Sequence, residues 1–278
     1  MLHRIVLVSL LFSFFATATT TAAGAAYIAA ASKSTSSVPT LSALYGDHNP
    51  YTGLSKREVD THGWGQNASL YERLVKRLQP SVVVEVGVWK GGTTCAFAKA
   101  LRRHTPLQSS VIVAVDTWLG APEFWTKRLG GRAMNFQERS ERDLQLVNGY
   151  PTVFYTFLSN VLSLGLESHV IPFPVPSEVA SNVFKTLNWN MIDLIHIDGS
   201  HDYMAVLTDL RMWWPLVRGG GVVVCDDYGV WPGVTRAVDE FARREKVHME
   251  SMKWSAGGKA MITKPLHRTR GPVERVRR

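Results

Sequence analysis

Cysteine is nearly missing from this chain, which has two among 278 residues, Cys95 and Cys225. Both stand in apolar surroundings and read as buried thiols, so neither a disulfide framework nor a cysteine-built zinc site organises the fold. Cysteine usage therefore says nothing about the redox compartment. Internal repeats are absent too, which excludes solenoids and propellers. The fingerprint G-x-G-x-x-G does not occur, and this argues against a pyrophosphate-binding dehydrogenase. A basic surface spread over the chain is also missing. The formal charge is +8, but residues 265–278 hold five Arg and one Glu, so the tail supplies half of it. That tail reads as solvated and disordered, and no nucleic-acid partner is expected.

What is present is a globular composition, with 45% apolar residues and room for one α/β domain. The one long apolar run is at the start, IVLVSLLFSFFA over residues 5–16, followed by a small-residue stretch to residue 31. It reads either as a cleaved signal peptide, cut near Ala22 and Ala23, or as an uncleaved membrane anchor. Both send the chain into the secretory pathway; a plastid transit peptide is the alternative. The sequon at Asn67, Ala68 and Ser69 is consistent with a lumenal domain. Residues 32–61 read as a flexible linker, and residues 62–264 as the domain.

The domain is organised around residues 81–99. Val82, Val83 and Val84 read as a buried parallel strand, and residues 85–92 form a glycine-punctuated turn. A helix follows. Such a turn lets backbone approach a ligand closely and offers free N–H groups at the helix start. Its spacing is G-x-x-x-G with Glu85 two residues ahead, which suits a ligand with a cationic amino-acid end, such as S-adenosylmethionine. Further strands are expected at residues 111–116, 170–173, 192–197 and 222–225, and a C-terminal hairpin at residues 248–254 and 260–263. Helices alternate with them. The expected fold is an α/β, Rossmann-like, open and mostly parallel seven-stranded sheet with helices on both faces and an antiparallel edge. Residues 120–168 are too long for an ordinary connection and read as a cap over the ligand crevice.

Acids stand at the carboxyl ends of the strands, where ligands bind in such sheets. Asp116 suits a ribose diol, or else caps a helix; Trp118 suits an adenine face, or else the core. Asp198, Asp226 and Asp227 would repel one another unless a cation intervened, and an all-oxygen set favours Mg²⁺ or Mn²⁺. The other reading has one of them capping a helix and another facing water. His201 can serve as a general base at the same rim, or can cap the next helix or pair with Asp202.

With GWG, EVGVWKGGTT, AVDTW, DLIHIDGSHDY, DLRMWWPLVRGGGVVVCDDYG and PGVTRAVDEF in view, residues 62–264 resemble the class I S-adenosylmethionine-dependent methyltransferases, and within them the methyltransferase 24 group. The resemblance implies Glu85, Gly87 and Gly91 around the methionine end of the cofactor, Asp116 on its ribose and Ser177 near its adenine. It also implies a divalent cation on Asp198, Asp226 and Asp227 in metal-dependent relatives. Many relatives have an acid where this chain has Ser200, and some have His in place of Asp226, which leaves His201 as the expected base, with Asp198 beside it at the reacting centre. The expected activity is methyl transfer from S-adenosylmethionine to a hydroxyl of a small sugar or phenolic acceptor. The rivals are a nicotinamide oxidoreductase and a non-catalytic protein that uses the cofactor fold to bind partners. The sequence carries no signal for oligomeric state.

Overall fold

The computed structural model describes residues 38–63, 67–106, 110–125, 144–254 and 257–266. The expected leader and most of the basic tail lie outside the described residues, as do the polar block at 135–143 and Trp64 and Gly65 of the GWG motif. Among the described residues no helix is long and apolar enough to cross a membrane.

Seven strands form one sheet: β1 Val82–Val86, β2 Val111–Val115, β3 Val170–Phe173, β4 Ile192–Ile197, β5 Val217–Cys225, β6 Met249–Trp254 and β7 Gly257–Thr263. Their order is β3-β2-β1-β4-β5-β7-β6. The first five run parallel, while β7 pairs antiparallel with β5 and β6 with β7. The chain thus builds outward from β1 to β3, then returns across β1 to start β4. Ligand crevices form at that reversal of strand order.

Period-two alternation sends Val82, Val84 and Val86 to one face of β1 and Val83 to the other. The first face packs under α6 Ser177–Thr186, α7 Tyr203–Trp213 and α8 Pro232–Glu245, with Phe184, Trp213 and Phe241 buried there. The second packs under α2 Ala68–Leu78, α3 Gly92–His104 and α5 Val153–Ser163, around Tyr71, Phe97 and Phe157. A short helix, α1 Leu41–Tyr45, precedes them, and α4 Pro122–Trp125 lies between β2 and α5.

Asp193 ties the lower end of the sheet together. Its Oδ2 accepts from Ser81 and Val82 N–H at 2.8 and 2.9 Å, and its Oδ1 accepts from Arg218 Nε. Three strands are thereby fixed at their starts. Strand β5 begins earlier than the sequence indicated, because Gly219, Gly220 and Gly221 form an irregular strand opening with a register shift opposite Ile192 and Leu194. A Cβ on Gly221 would sit 2.9 Å from the Ile192 carbonyl oxygen. Helix α7 stops at Trp213, since Pro215 lacks an N–H and the chain tightens into a 3₁₀ turn at Trp214–Leu216.

Two expected boundaries change. Residues 38–61 are not a free linker: Tyr45 and Tyr51 hydroxyls donate to the Pro172 and Val170 carbonyls at 2.8 and 3.0 Å, and Tyr51 is buried. Aromatic anchors were hidden there among Ser, Pro and Gly. The expected cap at 120–168 is also altered in its described part. Helix α5 packs on the sheet as a third covering helix, with Val153, Phe157 and Val161 fully buried. Asn67 is the N-cap of α2, its Oδ1 accepting from Leu70 N–H at 3.0 Å.

Candidate active site

The turn between β1 and α3 is shaped by what surrounds it. Gly87 has φ +84° and Gly91 has φ +81°. A Cβ on Gly87 would meet the Asp198 carbonyl oxygen at 2.1 Å, and one on Gly91 would meet the Phe157 ring at 2.5 Å. Both glycines are therefore required by the protein's own packing, of β4 and of α5, before any ligand is considered. The turn is then tied down by Asp116. Its Oδ2 accepts from Val88 and Trp89 N–H at 2.8 and 2.9 Å, and Oδ1 accepts from Trp118 N–H at 2.8 Å. Trp118 belongs to the core, with its Nε1 on the Trp89 carbonyl at 2.7 Å and its ring stacked on Phe157. From outside, Lys90 reaches Asp60 Oδ2 at 2.6 Å, and Asn160 donates to both the Lys90 and Asp60 carbonyls.

Beneath the turn lies a row of ionisable side chains on the α2/α3 face of the sheet. Glu85 pairs in register with His196, and the register of Cys225 with Ala260 sets Asp226 beside Lys259. Glu85, His196 and Lys259 thus come from three strands of the sheet, Asp226 directly follows the fourth, and all four are buried. Glu85 Oε2 accepts from Thr94 Oγ1, and its Oε1 lies 3.5 Å from His196 Nδ1. His196 Nε2 lies 3.6 Å from Asp226 Oδ2 and 3.5 Å from the Tyr71 hydroxyl. Burial alone would lower the His196 pKa, but Asp226 and Glu85 outweigh it and lift it from 6.5 to about 9. Asp226 moves the other way: burial is overcome by His196 and Lys259, which hold it near 2. Glu85 does not border a ligand as expected. Its carboxylate is sealed at 1% exposure under Thr94, because strand β1 continues through Val86.

Above this row a crevice lies at the ends of β4 and β5, lined by residues that include Asp198, Ser200, His201, Asp226 and Asp227. Among the described residues no donor is hydrogen-bonded to the Asp198 carboxylate. Burial and the nearby Asp226 charge raise its pKa well above the usual carboxylate range, against the pull of His196 and Lys259. His201 and Asp227 form a pair at the rim, with Nε2 2.9 Å from Asp227 Oδ2. The His201 ring is stacked on Trp231, with centroids 4.4 Å apart and planes 5° apart. Asp202, and not His201, caps α7, accepting from Met204 and Ala205 N–H.

The expected three-aspartate cation site is only partly assembled. Ligand atoms of His196, Asp198 and Asp226 come within 4.8 Å of one another, while Asp227 turns to His201. Asp226 Oδ1 accepts from Asp227 N–H and Oδ2 from the Lys259 ammonium. Both Asp226 oxygens and one Asp227 oxygen are thus already engaged by groups of the protein. These residues do not fit a Mg²⁺ or Mn²⁺ ion. The S-adenosylmethionine cradle fits better: α3 begins without a side-chain cap, Asp116 keeps acceptor capacity at the end of β2, and Asp198 offers a carboxylate to a cationic group.

Ser177 departs from its expected place near adenine. Its hydroxyl donates to Asp209 Oδ1 at 2.6 Å and accepts from Trp213 Nε1 at 2.8 Å, inside the α6/α7 contact. Sequence reasoning missed His196, Lys259 and Tyr71. The sole signal was polar residues at inward positions of otherwise apolar strands.

A model of the methyltransferase domain family matches residues 84–228, half of the chain, over the cradle and the crevice. The chain belongs to that methyltransferase family. The expected resemblance to class I methyltransferases is thereby borne out. The chain is similar to the mycinamicin III 3''-O-methyltransferase of Micromonospora griseorubida, 27% identical over 173 residues, spanning 62% of this chain and 64% of that relative's length. Its fold is similar to that of the O-methyltransferase NovP, with TM-score 0.52 and 20% identity, covering 71% of this chain and 79% of NovP. It is also similar to an O-methyltransferase from Bacillus cereus solved in complex with SAH, with TM-score 0.50 and 14% identity, covering 74% and 84% of the two chains.

Burial lifts the Asp209 pKa from 3.8 to about 6, although Ser177 donates to it. The folded state therefore binds a proton that the unfolded state releases first. Stability from this group is full below the unfolded pKa and is lost as pH rises toward 6. Asp209→Asn is expected to remove that fall, read as the difference in urea midpoint between pH 4 and pH 6.5. An unchanged pH slope contradicts the assignment.

Proposed function

We propose that this protein transfers the methyl group of S-adenosylmethionine to a hydroxyl oxygen of a small sugar or phenolic acceptor held in the crevice at the ends of β4 and β5. The observation that carries the reading is the His201–Asp227 pair at the crevice rim, beside a cradle of the methyltransferase family. The sulfonium supplies an activated methyl group for in-line displacement. What remains for the protein is to align one hydroxyl and remove its proton. Asp227, 2.9 Å from Nε2, orients the His201 ring to take the acceptor proton. Asp227 stabilises the imidazolium that forms, and stacking on Trp231 fixes the ring plane. Asp116 and the Gly87–Gly91 turn hold the cofactor. O-methylation by the mycinamicin relative supports oxygen as the acceptor atom. Of the donors expected for a divalent cation, Asp226 is engaged by Lys259 and Asp227 by His201, so no step is routed through a metal.

Methyl-labelled S-adenosylmethionine incubated with sugar and phenolic acceptors tests the reading. His201→Ala is expected to cut the rate about 10²–10⁴-fold, with partial recovery as pH rises and unchanged affinity for S-adenosylhomocysteine. Label that goes only to amines, or a His201→Ala rate equal to wild type, contradicts it.

We also propose that residues 1–31 direct the chain into the secretory pathway, either as a cleaved signal or as a membrane anchor; the apolar start and the sequon support this. Because Asn67 also caps α2, the clean test is Ser69→Ala, which removes the sequon and leaves the cap. A glycosidase-sensitive mass shift lost in Ser69→Ala is expected; a fluorescent fusion diffuse in the cytosol contradicts it.

A further inference from the structure

Lys259 stands outside every motif that pointed to chemistry, yet it is one of the largest fully buried side chains in the protein. It reaches the site from β7, the antiparallel neighbour of β5. Its Nζ donates to Asp226 Oδ2 and lies 5.6 Å from the Tyr71 ring centroid. A buried ammonium is costly unless a carboxylate pairs with it, and a buried carboxylate is costly unless a cation does. Clusters of acids at strand ends commonly meet this need with a divalent ion. Here the need is met from within. Asp226 has one oxygen on the Asp227 N–H and the other on Lys259, with His196 Nε2 3.6 Å away on the same oxygen.

We propose that the Lys259 ammonium is the resident cation of this site and takes the electrostatic place of a divalent metal, so that Asp198 and Asp226 bind no divalent ion in the working protein. For its bearing on catalysis this rests on the methyltransferase reading above. Under it, the proton of the acceptor leaves through His201 alone, and transfer is indifferent to chelators. Lys259 touches neither acceptor nor cofactor in this account; it is a positioning residue that holds Asp226 charged and closed to metal.

The test uses Mn²⁺ as the probe on the full chain, followed by the electron paramagnetic resonance signal of the free ion, with and without S-adenosylhomocysteine. Wild type is expected to leave that signal unchanged into the millimolar range. Lys259→Met, which keeps bulk and removes charge, is expected to take up one ion per chain and to lose it again in Lys259→Met/Asp198→Asn. A merely structural lysine would produce no such gain. Saturable uptake by wild type that disappears in Asp198→Asn overturns the proposal, and so does a folded Lys259→Met that binds no Mn²⁺. If Lys259→Met fails to fold by circular dichroism, wild type and Lys259→Arg decide, since uptake by either overturns it. Failure of wild type to bind S-adenosylhomocysteine would count against the methyltransferase reading and leave the Mn²⁺ result standing.

Discussion

Four charged or titratable side chains cross the sheet in one line, and the upper half of the molecule is arranged to keep them paired. Glu85, His196 and Lys259 come from β1, β4 and β7, and Asp226 directly follows β5 on the same face. Removing one partner from such a set strands a buried charge, at a cost of about 3–5 kcal/mol. The pairing therefore opposes any slip in register, because a one-residue shift would send a member of the row to the opposite face. Tyr71 and Phe97 cover the row from α2 and α3, with their rings against His196. Charges of both signs are thus fixed directly below the crevice, where a cofactor sulfonium would arrive.

The same economy shapes the cradle. Gly87 is glycine because β4 passes where a side chain would stand, and Gly91 because Phe157 does. Asp116 closes the turn by accepting from its amides, and the early segment closes it from outside through Asp60 and Lys90. Ligand binding then meets a preformed turn, which lowers the ordering cost of association.

The seven strands, the parallel run and the antiparallel edge were legible because β-branched runs, glycine turns and helical spacing agree locally. The crevice was legible as well, since acids at strand ends mark it. The partners of those acids were not. Lys259 lies 33 residues beyond Asp226, and the pairing depends on β7 returning antiparallel. Glu85 looked like a ligand residue because it stands two residues ahead of Gly87, and Ser177 because its place after β3 does not reveal that Asp209 and Trp213 claim its hydroxyl. Residues 38–61 misled in the opposite direction, their polar composition masking two tyrosines that bind the β3 backbone.

The central claim is that the turn after β1 and the end of β2 hold S-adenosylmethionine. The most direct measurement is calorimetric titration of the full chain with S-adenosylhomocysteine and, separately, with NAD. The account predicts saturable binding of one S-adenosylhomocysteine per chain and none of NAD. Binding of NAD without S-adenosylhomocysteine, or of neither, would contradict it.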